Sequence, residues 1–198
     1  MRQPRKHGDA GQAFPIYITV VGGLLFLAFA YFAVGQAAAN RNDAQTAADA
    51  AALAAAQDRR EKLADALMRS INDPTAWAEI FAGSVPGIGP SCWRSYQLAA
   101  QNDATVLSCV PDGPLSFTVE VVTNGTVGDS IVPGTESKRS REKARAVIEP
   151  RCDFELPAGD ELPLLSCMGT EWELDPKAPA ELLPKPEDLF DVHLATDK

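Results

Sequence analysis

The chain has 198 residues, 45% of them hydrophobic, and a formal net charge of −9. That balance excludes the basic surface on which nucleic-acid binding depends, so no nucleic-acid partner is expected. Its two histidines, His7 and His193, lie near the two ends. With no histidine expected inside a folded domain, His-based triads, Cys–His dyads and zinc-protease motifs are excluded.

Residues 1–13 are polar and glycine-containing and read as a short cytoplasmic leader without a core. From Ala10 through Asn40 no residue is charged. The apolar part, Phe14 to Val34, would span roughly 31 Å as a helix, the thickness of a hydrocarbon core. One long helix is therefore predicted from Phe14 to Ile71, crossing a lipid bilayer over 14–36 and continuing in water as an alanine-rich stalk over 37–72. Pro15 falls in the first turn, where its missing N–H has no partner to lose. Gly22, Gly23 and Gly35 leave low spots where another helix can approach closely.

Charge sets the expected orientation. Residues 1–36 carry three Lys/Arg against one acid, and residues 37–198 carry fifteen against twenty-six. Arg2, Arg5 and Lys6 precede the span and only Arg41 lies close behind it, so the positive-inside rule puts the N-terminus in the cytoplasm. The expected localisation is the cell membrane, single-pass, with the C-terminal domain outside. All four cysteines, Cys92, Cys109, Cys152 and Cys167, then fall on the exported side, where disulfides persist. Four cysteines allow three pairings, of which the nearest-neighbour set, Cys92–Cys109 and Cys152–Cys167, is favoured, each bridge contributing about 3 kcal/mol in the chain-entropy model. A cleaved signal peptide is the alternative to an anchor. Ala37-Ala38-Ala39 satisfies the small-residue cleavage pattern, although the apolar stretch exceeds the roughly 7–15 residues of a signal core.

The stretch NRNDAQTAADAAALAAA, from Asn40 to Ala56, is the most informative in the chain. Alanine is the best helix former, and a dense alanine run lets a neighbour pack at short range because nothing protrudes. Ala48, Ala52, Ala56, Leu63, Leu67 and Ile71 keep the spacing of one helix face, which docks either on the chain's own domain or on another molecule. Asp49 within this run reads as a solvated residue or a local hydrogen-bond partner.

An N-terminal span, a polar break and then AQTAADAAALAAA resemble the TadE/TadG-like proteins of tight-adherence (Flp, type IVb-related) pilus systems, especially the TadG-like members. Gly11-Gln12-Ala13-Phe14-Pro15 and the span itself are similar to the actinobacterial versions. The likeness covers about the first 57 residues well and extends more loosely to about Ile148. Related pilins are cut after a glycine, with a glutamate at the fifth position beyond the cut. If Gly11 preceded the cut, that position would hold Ile16, so the resemblance implies a retained anchor rather than a processed major pilin. It also implies a pilin-like small antiparallel sheet with helices on one face, and as partners the lipid bilayer, other Tad/Flp or TadE/TadG-like proteins and a possible homo-oligomer.

Asn72-Asp73-Pro74 should end the long helix. Asp73 as N-cap and Pro74 at the first position open a short helix to about Ala82 that presents Trp77, Ile80 and Phe81 on one side, and Gly83 ends it. GSVPGIGP is a loop that lacks the preceding strand and following Lys-Ser/Thr of a phosphate-binding loop. Ser91 is expected to cap a further helix to about Gln101. Strands are predicted over Thr105–Val110 and Leu115–Thr123, joined by the turn Pro111-Asp112-Gly113-Pro114, and over Ala144–Glu149. The twenty-residue loop Asn124 to Lys143 ends in a basic cluster, Lys138, Arg139, Arg141, Lys143 and Arg145. That cluster reads either as a contact for anionic headgroups or wall polymers, or as a partner of the chain's own acidic C-terminal part.

The exported α+β domain is placed at 73–175, with Leu162–Trp172 adding to it. An extended, acidic, proline-rich tail follows over 176–198, in which Leu189, Phe190, Val192 and Leu194 form a docking segment for this domain or for a partner. Neither cofactor nor metal site is indicated, since the cysteines are not spaced as CxxC pairs. Glu171 with Glu173, or Asp160 with Glu161, are available as an acid/base pair for a carboxylate hydrolase, although neighbouring acids in an acidic tract read first as solvated charge. The primary expectation is a non-catalytic pilus-assembly component. The alternative is a secreted or anchored extracellular binding module with no pilus role.

Overall fold

A computed structural model of the chain describes residues 13–126, 137–157 and 162–196. Helix α1 runs unbroken over Ala13–Arg69, 57 residues. Beyond Pro15 it contains no proline, and its second half is rich in alanine, so nothing interrupts the hydrogen-bond ladder. It closes where Ser70 N–H donates to the Ala66 carbonyl, just before the Asn72-Asp73-Pro74 break. From Ala44 onward one side of α1 is buried: Ala48, Ala52, Ala56, Leu63 and Leu67 are fully inaccessible. The stripe read from its spacing is the face that docks on the chain's own domain.

Helix α2 spans Pro74–Phe81 and α3 spans Cys92–Gln101. Trp77, Ile80 and Phe81 are buried, as the spacing predicts. Neither Asp73 nor Ser91 makes the side-chain cap expected of it. The Asp73 carboxylate instead accepts from the Thr75 hydroxyl, and Ser91 Oγ accepts from Lys62 Nζ on α1 at 3.4 Å. Gly83 turns the chain after α2 at φ +74°, and a Cβ there would lie 2.7 Å from Leu115 Cδ2, so this position needs glycine on both counts.

Four antiparallel strands form the main sheet in the order β1-β2-β3-β7: β1 Ala104–Pro111, β2 Ser116–Thr123, β3 Arg141–Pro150 and β7 Phe190–Leu194. Phe117, Val119 and Val121 of β2 alternate inward with Ala144, Ala146 and Ile148 of β3, and α1 lies on this inner side across all four strands. Helix α3 packs on α1 and β1. The approach of the two helices is close because Ala51 and Ala99 present only methyls, and Ser95 Oγ donates to the Ala51 carbonyl at 2.8 Å. A smaller sheet, β4-β5-β6, comprises β4 Cys152–Asp153, β5 Leu165–Cys167 and β6 Thr170–Trp172.

Two disulfides brace these parts. Cys92–Cys109 joins α3 to β1 with a Cα–Cα distance of 5.9 Å, and Cys152–Cys167 joins directly opposed residues of β4 and β5 at 4.0 Å. A bulge makes the first bridge reachable. Val106 pairs with inward Val121, and strict alternation would next turn Ser108 inward, but the register slips so that Ser108 pairs with Glu120 and Cys109 with buried Val119.

Part of the acidic tail belongs to the core. Helix α4 (Pro186–Leu189) leads into β7, which pairs with β3, and Leu189 and Phe190 are fully buried. Phe190 stacks against Phe81 at 5.3 Å, beside the contact of Trp77 with Phe154 at 5.3 Å. Arg151 clamps the returning segment: its N–H donates to the Leu189 carbonyl and its guanidinium pairs with Asp191 at 2.7 Å. The docking segment is therefore used on this domain, and the strand places His193 in the sheet opposite Val147. The expectation that the folded domain contains no histidine is corrected accordingly.

Because Ala52 has no exposed surface, Ala52→Leu must displace the sheet or α3 and should cost about 1–3 kcal/mol. Chemical denaturation followed by Trp77 fluorescence measures it; an unchanged midpoint would mean that the alanine contact is not tight.

Candidate functional site

The two halves of α1 differ in what surrounds them. Phe14, Tyr17, Leu24, Phe26, Phe29 and Tyr31 are all more than half exposed, whereas the alanines from Ala47 to Ala56 are covered by the domain. An exposed apolar helix of this length meets the requirement for crossing a bilayer. Thr19 is satisfied within the helix, its hydroxyl donating to the Pro15 and Ile16 carbonyls at 3.1 and 2.9 Å, the arrangement a hydroxyl needs away from water. Nothing described lies within 4 Å of a Cβ built at Gly22, Gly23 or Gly35. Of the five helix-packing candidates, Gly22 and Gly23 remain open to another helix, while Ala48, Ala52 and Ala56 are taken up internally.

Asn40 marks the change. Its Oδ1 accepts from the Ser140 N–H at 3.2 Å and from Thr123 Oγ1 at 3.3 Å, while its Nδ2 donates to the Gly125 and Thr126 carbonyls at 3.4 Å. One side chain thus ties α1 to the end of β2 and the start of β3. Next to it, Arg41 Nε donates to Glu142 at 2.8 Å. Asn40 lies about 9 Å beyond Val34 along the helix, which puts this end of the domain at the depth of the headgroup layer if the span fills a hydrocarbon core.

The basic cluster is divided by the sheet. Arg141, Lys143 and Arg145 are strand residues on the outward face of β3, not loop residues. Lys143 pairs with Glu120 at 3.4 Å and Arg145 with Asp112 at 3.0 Å, so their acids come from β2 and the β1–β2 turn rather than from the C-terminal part. Lys138 and Arg139 are exposed and precede Ser140, which bonds Asn40. On the same outward face His193 Nδ1 lies 3.1 Å from Asp191 and Nε2 lies 3.7 Å from Glu149. Asp49 accepts from Gln45 at 2.7 Å, the local partnership foreseen for it.

For catalysis the structure supplies little. Glu171 and Glu173 are exposed, Asp160 and Glu161 lie outside the described residues, and among the described residues no group of His, Cys, Asp or Glu is arranged to hold a metal ion. Gly11 and Gln12 of the N-terminal motif also lie outside the described residues, as do the leader's basic residues and His7.

What this helix is similar to follows from its own residues. The Tad family model, Flp pilus-assembly TadE/G-like, matches residues 11–58. Residues 11–58 are thus similar to that family. The match covers the exposed apolar half of α1, the Asn40 junction and the start of the buried alanine face, and it supports a pilus-related role. No curated protein and no solved structure matches the chain.

Asn40→Ala removes the four hydrogen bonds of the Asn40 side chain to the β2–β3 ends, each worth about 1 kcal/mol, and leaves the Arg41–Glu142 pair in place. Amide exchange at Ser140 is expected to accelerate roughly tenfold while that at Val119 stays unchanged. Equal protection of Ser140 in both proteins would show that the junction holds without this side chain.

Proposed function

We propose that this chain is a membrane-anchored, non-catalytic component of a Tad/Flp-type pilus assembly system, of the TadG-like actinobacterial type. Its N-terminus lies in the cytoplasm and its α+β domain outside. The observation that carries this reading is the coincidence of the TadE/G-like match with the stretch where one helix passes from exposed and apolar to buried and alanine-rich. The membrane half anchors, and the domain, which consumes the alanine face, presents an interaction surface outside. Ile16 in place of the glutamate of processed pilins supports retention of the anchor. The lipid bilayer, other Tad/Flp components and a second copy of this chain are the partners, with Gly22 and Gly23 as the point of helix contact.

Co-purification from the organism's own membranes tests the assembly role. The native chain is expected to bring down Tad/Flp components, and Gly22→Leu/Gly23→Leu to lose them at least fivefold while remaining in the membrane. A native chain that captures no pilus component would support the plain extracellular binding module instead. A mature protein beginning near Asn40 and free of the membrane would end the anchor reading.

Lys138 and Arg139 serve in this reading as contacts to anionic headgroups, because Asn40 holds their segment near the membrane surface. In nanodiscs, anionic lipid is expected to slow amide exchange at Ser140 relative to zwitterionic lipid, and Lys138→Glu/Arg139→Glu to abolish the difference. If the native chain shows no such difference, the headgroup contact is discarded.

A further inference from the structure

At the opposite end of the domain, about 28 Å along α1 from Asn40, Arg59 lines a pocket of about 350 Å³. Its walls are Ile88 and Pro90 from the loop after α2, Pro111 at the end of β1, Pro114 from the β1–β2 turn, and Phe117 of β2. Five other Lys and Arg side chains have carboxylate partners: Arg41 with Glu142, Lys62 with Asp58, Lys143 with Glu120, Arg145 with Asp112 and Arg151 with Asp191. Arg59 has none among the described residues. Its one hydrogen bond runs from Nη2 to the Gly83 carbonyl at 3.0 Å, and its Nε is buried without any partner. Burial lowers its pKa from the ordinary guanidinium value.

A guanidinium carries five donors in a planar fork matched to a carboxylate, and the half-buried Arg59 uses one of them in a hydrogen bond among the described residues. Lys62 does not compete for the role: its ammonium is engaged by Asp58 and by the Pro90 carbonyl at 2.8 Å, which also fixes the pocket's rim. The prolines contribute no N–H and no charge, so the pocket offers one cation on an apolar floor.

We propose that the Arg59 pocket is a binding site for a carboxylate of a partner polypeptide, with an apolar group beside the carboxylate lying on Ile88, Phe117 and the prolines. The acid is either a chain terminus or an acidic side chain, since the fork accepts both. This assignment does not depend on the pilus reading and is testable on the chain alone.

The test is titration of the full-length chain in detergent micelles, followed by the Arg59 Nε–H resonance, which Arg59→Lys assigns by its disappearance. The small molecules are N-acetylphenylalanine, carrying a terminal carboxylate, and N-acetylglutamic acid α-amide, carrying a side-chain carboxylate, with N-acetylphenylalanine amide as the uncharged control. At least one acid is expected to shift the resonance saturably at millimolar concentration while the amide does not, and the acid that does so identifies the source. Gly89→Leu, at a rim position where a Cβ meets nothing within 4 Å, should weaken that response at least tenfold with the Trp77 indole signal unmoved. If neither acid exceeds the amide, or if Gly89→Leu binds as the native chain does, the proposal is overturned.

Discussion

One continuous helix has to be stable in two surroundings, and the rest of the chain follows from how it manages that. The first half keeps large apolar side chains outward because no protein covers them, and the Thr19 hydroxyl is satisfied within the helix. The second half strips its side chains back to methyls, so that a sheet and a second helix reach its backbone surface. Alanine contributes little apolar area when buried. The bulk of the core is therefore gathered farther along, where Leu63, Leu67 and Ile71 meet Trp77, Phe81 and Phe190. Disulfides at both edges add to a core that a short domain of this kind could not enlarge.

Local features were the most legible in the sequence. The apolar run, the alanine stripe, the proline that opens α2 and the turn between β1 and β2 each rest on a few adjacent residues whose preferences agree. The TadE/G-like character was legible for the same reason, in the contiguous stretch that the family model matches. The open or closed state of the alanine face was not, since spacing defines a face without naming what covers it.

Features that depend on distant pairing were hidden. The alternation of Phe190, Val192 and Leu194 was visible, but acid and proline around it suggested an extended tail, and only pairing with β3 brings it into the sheet. His193 was misplaced along with it. The basic cluster was assigned to a loop because β3 begins earlier than its apolar residues indicate: Arg141 and Lys143 are held there by the ladder to β2, with their charges pointing away from the core. The bulge that turns Cys109 toward Cys92 leaves no mark in composition, and neither does the setting of the Arg59 guanidinium, which is assembled from the loop after α2 and the β1–β2 turn.

The unbroken path through the Asn40 junction makes the helix a shaft. Because α1 has no hinge between Val34 and the docked alanines, the azimuth of the domain about the axis of the apolar half is set by residue count. Each residue added or removed there would swing the domain by about 100° and move it about 1.5 Å along the axis. A neighbour that gripped the Gly22–Gly23 side of the shaft would therefore meet one particular side of the domain, and the phase between the two faces is written into the length of the connecting helix.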